Sequence, residues 1–269
     1  MLYTSLVVES TSPYSAPALP CARVVVRACI STDEIQQPKQ LLPGEIHLWH
    51  ASPKTVRLNE AYAKSVLSAD ETERMDRFHF DKDRQNFLFC RSMLRMMLAS
   101  YLGALPAELV FAYSAHGKPS LAKPKVCLDF NLSHSSGNVL IATCLQRKIG
   151  VDLEWVRHDL DVREIAQRFF SAAENKALKT MPISSCYDTF FAGWTRKEAF
   201  VKARGEGLSC PLSSFDVSVD PRDEQVTLAT RPDATEAGNW QMWSLNNFPG
   251  FAAAVAVERK SELQEPQTF

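Results

Sequence analysis

The stretch that most constrains the fold of this chain is a helix-like segment, WTRKEAFVKARGEGLS, at residues 194–209. On a helix that turns by about 100° per residue, one side of this segment is a mostly apolar stripe that includes Glu198. Lys202 follows one turn later on the same side. A carboxylate in a buried face is costly unless a cation pairs with it. The segment therefore predicts either a Glu198–Lys202 ion pair or a carboxylate that faces a ligand in a cleft.

A second stretch, IGVDLEWV at residues 149–156, has the pattern of a strand, whose successive side chains point to opposite faces. Asp152 and Glu154 therefore share one face. Neighbouring carboxylates repel each other, so a proton or a cation intervenes unless the face is simply solvated. If Glu198 converges on the same point, three oxygen ligands without histidines or thiolates suit Mg²⁺, with Mn²⁺ as an alternative ion.

A divalent ion held by acids usually takes substrate phosphates as further ligands, and phosphates need cations or N–H donors. Candidate side chains for that purpose are Lys118 in the HGKP turn, Ser133 and His134 in NLSHSSG, and Arg74 and Arg91 on earlier helix-like segments. Each of them alone also fits an ordinary structural role, as a surface lysine, a hydrogen-bonded histidine or a helix-face arginine.

The two halves of the chain resemble each other. Residues 77–95 contain RFHF…NFLFCRSMLR, residues 168–202 contain RFF…FFAGWTRKEAFVK, and each half offers helices followed by strands. We interpret this pattern as an α+β fold of two related subdomains in tandem that meet near residue 147. A chance match of Arg–Phe pairs is the alternative explanation.

Local signals predict individual elements. Capping boxes, in which a glutamate follows a serine by three residues, predict helix starts at Ser68 and Ser171. Gly103 and Gly205 are placed to end the two long helices. The run NVLIATCLQRKIGVDLEWV has the pattern of a β-hairpin that turns near Gln146.

Composition changes at both ends of the chain. Residues 1–43 form a Ser/Pro-rich extension in which RVVVRACI is a candidate strand, and residues 259–269 form a polar tail. We therefore predict an N-terminal subdomain over residues 44–147 and a C-terminal subdomain over residues 148–258.

The overall composition excludes several classes of protein. The net charge of −1 does not favour nucleic acid or an anionic membrane as a partner. Seven cysteines without a C-x-x-C pair indicate reduced thiols in a cytoplasmic protein rather than a zinc site. No apolar run reaches the ~18 residues of a membrane span, and the N-terminus lacks the pattern of a signal peptide.

Four motifs in order resemble those of the Sfp-type 4′-phosphopantetheinyl transferases. They are GKP at 117–119, FNLSHS at 130–135, GVDLE at 150–154 and WTRKEAFVKARGEGL at 194–208. The fourth motif, with all four in this order, is the most specific. The resemblance covers about residues 45–255 and leaves the N-terminal extension without a counterpart.

The resemblance implies a fold and an activity. The family fold is a pair of pseudo-twofold-related α+β subdomains with the active site between them. Its members move the 4′-phosphopantetheine arm of coenzyme A to a serine of an apo acyl or peptidyl carrier protein and release adenosine 3′,5′-bisphosphate. The resemblance also implies dependence on Mg²⁺ and a monomeric enzyme.

The resemblance further implies roles for the acids and the lysine of the last two motifs. Asp152 and Glu198 match the metal-binding acids of the family, and Glu154 matches a third acid that some members lack. Glu198 is also the expected base for the serine of the carrier protein, directly or through water. Lys202 matches a lysine beside the pyrophosphate, where it would stabilise the charge that develops as the bond breaks.

Other residues are carried over as contacts to coenzyme A or to the carrier protein. Ser133 and His134, preceded by Asn131, match residues near the 3′-phosphate. The basic contacts to the same end of coenzyme A are Lys118, Arg74 and, as a weaker match, Arg91. Phe169 and Phe170 lie in the segment RFFSAAE, where the family meets its carrier protein.

Two other functions fit parts of the same pattern. A non-catalytic module that binds coenzyme A or a carrier protein would keep the fold, and a metal-dependent phosphohydrolase would use the same acids. The sequence leaves open which carrier protein and pathway are served, whether acyl-coenzyme A is accepted, and whether Glu154 binds a metal directly.

Overall fold

A computed structural model of the chain describes residues 7–8, 23–28, 34–35 and 37–259. Strands and helices of the first half are β1 (Val7–Val8), β2 (Arg23–Ala28), β3 (Glu45–Ala51), α1 (Glu60–Ser65), α2 (Ala69–Asp76), α3 (Asp81–Leu102), β4 (Val110–Tyr113), β5 (Pro119–Lys123), β6 (Leu128–Ser135) and β7 (Asn138–Leu145). Those of the second half are β8 (Ile149–Trp155), α4 (Val162–Phe169), α5 (Ala172–Thr180), α6 (Ile183–Arg204), β9 (Phe215–Val217), β10 (Leu228–Thr230), β11 (Trp240–Ser244) and β12 (Phe251–Glu258).

The main sheets of the two halves have the same topology. In the first half β3, β7 and β6 are neighbours in that order, and in the second half β8, β12 and β11 are. β7 and β12 are the central strands of these triplets. β3 and β6 flank β7, β8 and β11 flank β12, and all four pairs are antiparallel. The prediction of an α+β fold with an internal repeat of helices and strands is therefore confirmed.

Helix ends follow the local signals of the sequence. Capping boxes are present at Ser68 and Ser171, where each serine and the glutamate three residues later satisfy each other's backbone N–H groups. The long helices α3 and α6 both have 22 residues, and each ends at a glycine in the left-handed conformation, Gly103 with φ 59° and Gly205 with φ 76°. The predictions for these four positions are confirmed.

The junction between the halves differs from the predicted hairpin. β7 has β3 on one side and β6 on the other, so no edge is left for β8, which pairs with β12 instead. The hairpin prediction is therefore wrong. β8 lies beside β6, and side chains join the two strands: Asn131 Oδ1 accepts from Val151 N at 2.9 Å, and Ser135 Oγ accepts from Trp155 N at 3.0 Å.

The extension contributes to the first sheet. The predicted strand RVVVRACI is confirmed as β2, which pairs in parallel with β3 and buries Val24 and Val25. One apolar cluster contains residues of both sheets, so the two halves share a core. Within the described residues, no helix is long and apolar enough to cross a membrane. The predicted tail lies outside the described residues, except for Arg259.

Candidate active site

The acids of the GVDLE and WTRKEAFVK motifs meet in a cavity between β6, β8 and α6. Its volume is about 340 Å³. The lining residues are Leu132, Ser133, His134, Asp152, Glu154, Trp194, Glu198 and Lys202. Six of these residues are polar and were candidates in the sequence: Ser133, His134, Asp152, Glu154, Glu198 and Lys202. The structure therefore brings them together in one cavity. We call this space the polar cavity.

Asp152 lies at the centre of the hydrogen bonds in the polar cavity, and only 2% of it is exposed. Its Oδ1 accepts from Lys202 Nζ at 2.6 Å and from Ser133 Oγ at 2.9 Å. The lysine thus pairs with Asp152 on the neighbouring strand rather than with Glu198 on its own helix. Asp152 Oδ2 is buried and has no hydrogen-bond partner among the described residues.

Glu154 and Glu198 are half-buried near this aspartate. Burial, and then the negative charge of Asp152, raises the pKa of Glu198 above its usual value. The same two causes, in the same order, raise the pKa of Glu154. Ser135 Oγ donates to Glu154 Oε2 at 3.0 Å and opposes that shift. Three acids therefore share a site that favours an additional positive charge.

A second, larger cavity of about 670 Å³ adjoins the first. It shares Leu132, Trp194, Glu198 and Lys202 with the polar cavity. Its remaining walls are the 116–119 turn, the last turns of α6 and the segment 207–213, together with Asn131, Arg168 and Phe169. We call it the large cavity. The site as a whole can hold a long ligand with a charged portion near the acids.

Lys118 joins the turn of the GKP motif to the second half of the chain. Its Nζ donates to Ile149 O at 2.9 Å and to Ala203 O at 3.1 Å. Burial lowers the pKa of this lysine to about 8. Gly117 beside it has φ 79°, a conformation that favours glycine. The turn is thus held against β8 and α6 at the mouth of the large cavity.

Asp152, Glu154 and Glu198 are the candidate ligands for a metal ion. In the part of the chain that the structure describes, no three His, Cys, Asp or Glu side chains form a ready-made metal site. The buried, unpartnered Oδ2 of Asp152 is nevertheless an available oxygen ligand. Together with the carboxylates of Glu154 and Glu198 it makes a donor set of the kind that Mg²⁺ prefers. These residues therefore fit a hard divalent ion.

Comparison with known proteins decides the family. The family described as "4′-phosphopantetheinyl transferase superfamily" matches residues 148–256, and that described as "4′-phosphopantetheinyl transferase, N-terminal" matches residues 48–146. The 4′-phosphopantetheinyl transferase HetI of Nostoc sp. is 36% identical over 219 residues, which cover 81% of this chain and 89% of HetI. The chain belongs to the 4′-phosphopantetheinyl transferase superfamily.

A second curated relative supports this assignment. The 4′-phosphopantetheinyl transferase Sfp of Bacillus subtilis (strain 168) is 30% identical over 205 residues, covering 76% of this chain and 88% of Sfp. Among solved structures, the holo-[acyl-carrier-protein] synthase of Thermotoga maritima matches 42% of this chain and 63% of its own, with 23% identity and a TM-score of 0.33. The resemblance drawn from the four motifs is confirmed, as is the prediction of a 4′-phosphopantetheinyl transferase as the enzyme class.

Two arginines carried over from the superfamily lie away from both cavities. Arg74 is exposed on α2, with its guanidinium 5.5 Å from the centre of the Phe87 ring. Arg91 is buried within the first half, where its Nε lies 3.3 Å from Glu71 Oε1 and its Nη2 donates to Tyr113 Oη at 2.9 Å. The structure does not bring the side chain of Arg91 to the site, because its charge faces Glu71.

The two phenylalanines predicted to meet a carrier protein of this transferase have different surroundings. Phe169 is 40% exposed, lines the large cavity and contacts Trp194 edge-on. Phe170 is only 4% exposed and stacks on Phe190. Phe170 therefore belongs to the core, which corrects the prediction that it faces a partner.

Sequence reasoning missed two residues of the site. Ser135 holds Glu154, as Ser133 holds Asp152. The signal was the alternation of two serines on β6 opposite two acids on β8, since every second side chain of a strand shares a face. Trp194 lines both cavities. It is the first residue of the WTRKEAFVKARGEGL motif, and the sequence gives no signal for its role beyond that.

Proposed function

We propose that this chain transfers the 4′-phosphopantetheine arm of coenzyme A to a serine of an apo acyl or peptidyl carrier protein, depends on Mg²⁺ and releases adenosine 3′,5′-bisphosphate. The observation that carries this proposal is the set of three acids and one lysine at the junction of a polar and a large cavity. Membership of the superfamily supports the same reaction, since HetI and Sfp are named as 4′-phosphopantetheinyl transferases.

Asp152, Glu154 and Glu198 would hold the divalent ion. Bound to a pyrophosphate, such an ion neutralises the charge that collects on the phosphate oxygens. Asp152 offers a buried oxygen without a partner for this purpose. Mn²⁺ would fit the same oxygen donors.

Glu198 is the proposed base for the serine of the carrier protein. A serine hydroxyl is a weak nucleophile at neutral pH and needs a group that takes its proton as the bond to phosphorus forms. Glu198 lies in the wall that the two cavities share, and its pKa is raised by burial and by Asp152. A raised pKa makes its carboxylate a better proton acceptor.

Lys202 is the proposed stabiliser of the leaving phosphate. Its Nζ lies 2.6 Å from Asp152 Oδ1 and 3.1 Å from Ser133 Oγ, so its position is fixed before a ligand binds. A preorganised cation of this kind stabilises charge that develops in the transition state. Ser133, His134, Asn131 and Lys118 are proposed contacts to coenzyme A, because they line the cavities around this lysine.

The remaining predictions are kept as proposals. We propose that residues 44–147 and 148–258 act as two subdomains of one monomeric, cytoplasmic enzyme, with the site between them. Phe169, exposed at the rim of the large cavity, is the proposed contact to the carrier protein.

The product and its dependence on the carrier protein test this function. The chain is incubated with coenzyme A and Mg²⁺, with and without an apo carrier protein, and nucleotide release is followed by liquid chromatography. Release of adenosine 3′,5′-bisphosphate only when the carrier protein is present supports the transferase. Equal release without the carrier protein would indicate a phosphohydrolase, and no release despite binding of coenzyme A would indicate a non-catalytic module.

A further inference from the structure

The residue next to Glu198 on α6 is a lysine that the transfer reaction does not use. Lys197 is fully buried, and its Nζ lies 2.8 Å from Glu174 Oε1. The same Nζ donates to Leu212 O and to Phe215 O, both at 2.7 Å. A buried charge is stable only when its partners are complete, and here they are. Lys197 therefore connects α6 to the segment after it.

Glu174 fixes the other side of this connection. Its Oε2 accepts from Ser171 N at 2.8 Å as part of the capping box of α5. Its Oε1 also accepts from Val217 N, at 2.8 Å, in β9. The Lys197–Glu174 pair thus joins α5, α6 and the 212–217 segment in one buried network. Any shift of the pair would move that segment relative to α6.

The segment held by this pair is part of the wall of the large cavity. Pro211, Leu212 and Ser213 line that cavity together with Glu198 and Lys202 of α6. None of the three lines the polar cavity, where Asp152 and Glu154 lie. The pair therefore anchors part of the wall of the large cavity and has no hydrogen bond to the acids on β8.

The first half of the chain contains the same arrangement away from the polar and large cavities. Arg95 holds the position on α3 that Lys197 holds on α6, and its Nε lies 2.5 Å from Oε2 of the capping-box residue Glu71. Arg95 Nη1 donates to Pro106 O at 2.8 Å and to Leu109 O at 2.9 Å. The turn around these two carbonyls lines neither the polar nor the large cavity. The Arg95–Glu71 pair is therefore an internal control for the Lys197–Glu174 pair.

We propose that Lys197 and Glu174 are positioning residues for the donor substrate: they hold the Pro211–Ser213 wall at the distance from α6 that the bound donor requires. This inference rests on the proposed function, in which coenzyme A occupies the cavities. The pair acts on the binding of coenzyme A rather than on the chemical step, because the wall that it holds lies away from Asp152 and Glu154.

The test exchanges the two cations of the repeat. Lys197→Arg keeps the charge but places wider, longer donors against Leu212 O and Phe215 O, and the Arg95–Glu71 arrangement shows that an arginine suits such partners. We expect KM for coenzyme A to rise by about tenfold, which corresponds to a loss of ~1.4 kcal/mol of binding free energy. We expect kcat to stay within about twofold of the wild type, as for a loss of binding alone. The reciprocal control, Arg95→Lys, should leave both constants unchanged.

A second variant acts on the wall itself and keeps the inference testable if Lys197→Arg does not fold. Leu212→Ala shortens a partly buried side chain of the wall and leaves the buried pair intact. It should raise KM for coenzyme A in the same way as Lys197→Arg. Thermal unfolding of each variant shows which proteins are folded.

The outcomes separate this inference from the proposed function. A wild type that transfers nothing would contradict the proposed function, and calorimetric affinities for coenzyme A on the same variants would then test the wall. With an active wild type, an unchanged KM in Leu212→Ala or in folded Lys197→Arg would overturn the inference. A lower kcat at unchanged KM would overturn it too, since the pair would then act through Glu198.

Discussion

At the scale of single residues, the three acids of the site are not equivalent. Asp152 is buried and accepts from Lys202 and Ser133 through one oxygen, and its other oxygen has no partner in the part of the chain that the structure describes. Glu154 is half-buried and is held by Ser135. A side chain that orients a lysine and also offers a free oxygen contributes to the site in two ways. Asp152 should therefore matter more than Glu154.

The first prediction compares two isosteric substitutions. Asp152→Asn removes the charge that orients Lys202 and weakens the oxygen offered to a metal, so we expect kcat to fall by at least ~10²-fold. Glu154→Gln keeps an oxygen that a metal can use, so it should lower kcat less, by about tenfold, at the lower end of the ~10–100-fold losses known for groups around metal sites. Initial rates of carrier modification measure both, with melting temperatures as a check of folding. Equal losses in the two variants would contradict the assigned order.

The second prediction concerns Lys118, whose burial lowers its pKa from the usual 10.5 to about 8. At a pH between these two pKa values, Lys118 is protonated in the unfolded chain and deprotonated in the folded chain. The free energy of unfolding therefore gains a contribution that increases as pH rises from 8 towards 10.5. Lys118→Met removes this contribution, so its stability should rise less with pH than that of the wild type.

Urea unfolding at several pH values across this window measures the difference. The exposed Lys125 of the same region provides the control, and Lys125→Met should follow the wild type. If the free energy of unfolding changed with pH in the same way in Lys118→Met and the wild type, Lys118 would keep its usual pKa in the folded chain.

At the scale of elements, the site depends on how closely β8 approaches α6. A Cβ on Gly150 would lie 2.1 Å from Ala199 O and 2.3 Å from Ala203 N, so only glycine allows this contact. Asp152 stands two residues further along β8, and Lys202 belongs to the same turn of α6 as the two alanines. The distance between strand and helix thus sets the distance between these two charged groups.

The third prediction follows from this close contact. Gly150→Ala should lower the free energy of unfolding by at least about 1–3 kcal/mol, because the backbones must separate to accept a methyl group. It should also reduce the transfer rate by lengthening the Lys202–Asp152 pair. Gly238→Ala is the matched control, since no atom lies within 4 Å of a Cβ at that position. Chemical denaturation measures both, and similar stabilities of the two variants would rule out the steric argument.

The sequence predicted the elements better than their pairing. Capping boxes and terminal glycines depend on residues close in the chain, so the helix starts at Ser68 and Ser171 could be predicted from local letters. The pairing of β7 could not, because it depends on whether β3 and β6 already occupy both of its edges. That competition involves distant strands, since Ile46 of β3 pairs with Cys144 of β7, 98 residues later in the chain, and no local pattern reports it.

The same reasoning applies to the site. Asp152, Glu198 and Lys202 stood out because charged residues in apolar segments require a reason. Ser135 on β6 did not, since serine is ordinary in any strand, and only the proximity of β6 to β8 shows its partner Glu154. Arg91 lies outside the four motifs, and the sequence alone does not show that it faces Glu71 on another helix.

At the scale of the whole molecule, one architecture occurs twice but carries one site. The two long helices have equal length and both end at a left-handed glycine. Counted from the helix start, Met96 of α3 corresponds to Glu198 of α6, and Ser100 corresponds to Lys202. The apolar and small residues of the first half fill a core, whereas the charged residues of the second half line a cavity. The repeat thus supplies the frame, and Asp152, Glu154, Glu198 and Lys202 are the side chains proposed to supply the chemistry.

The measurement that tests the central claim most directly is the intact mass of an apo carrier protein after incubation with this chain, coenzyme A and Mg²⁺. The account predicts a mass gain of one phosphopantetheine group. The gain should disappear with EDTA, with the Asp152→Asn variant, or when alanine replaces the acceptor serine of the carrier protein. An unmodified mass for every carrier protein in a broad panel, despite measurable binding of coenzyme A, would contradict the account.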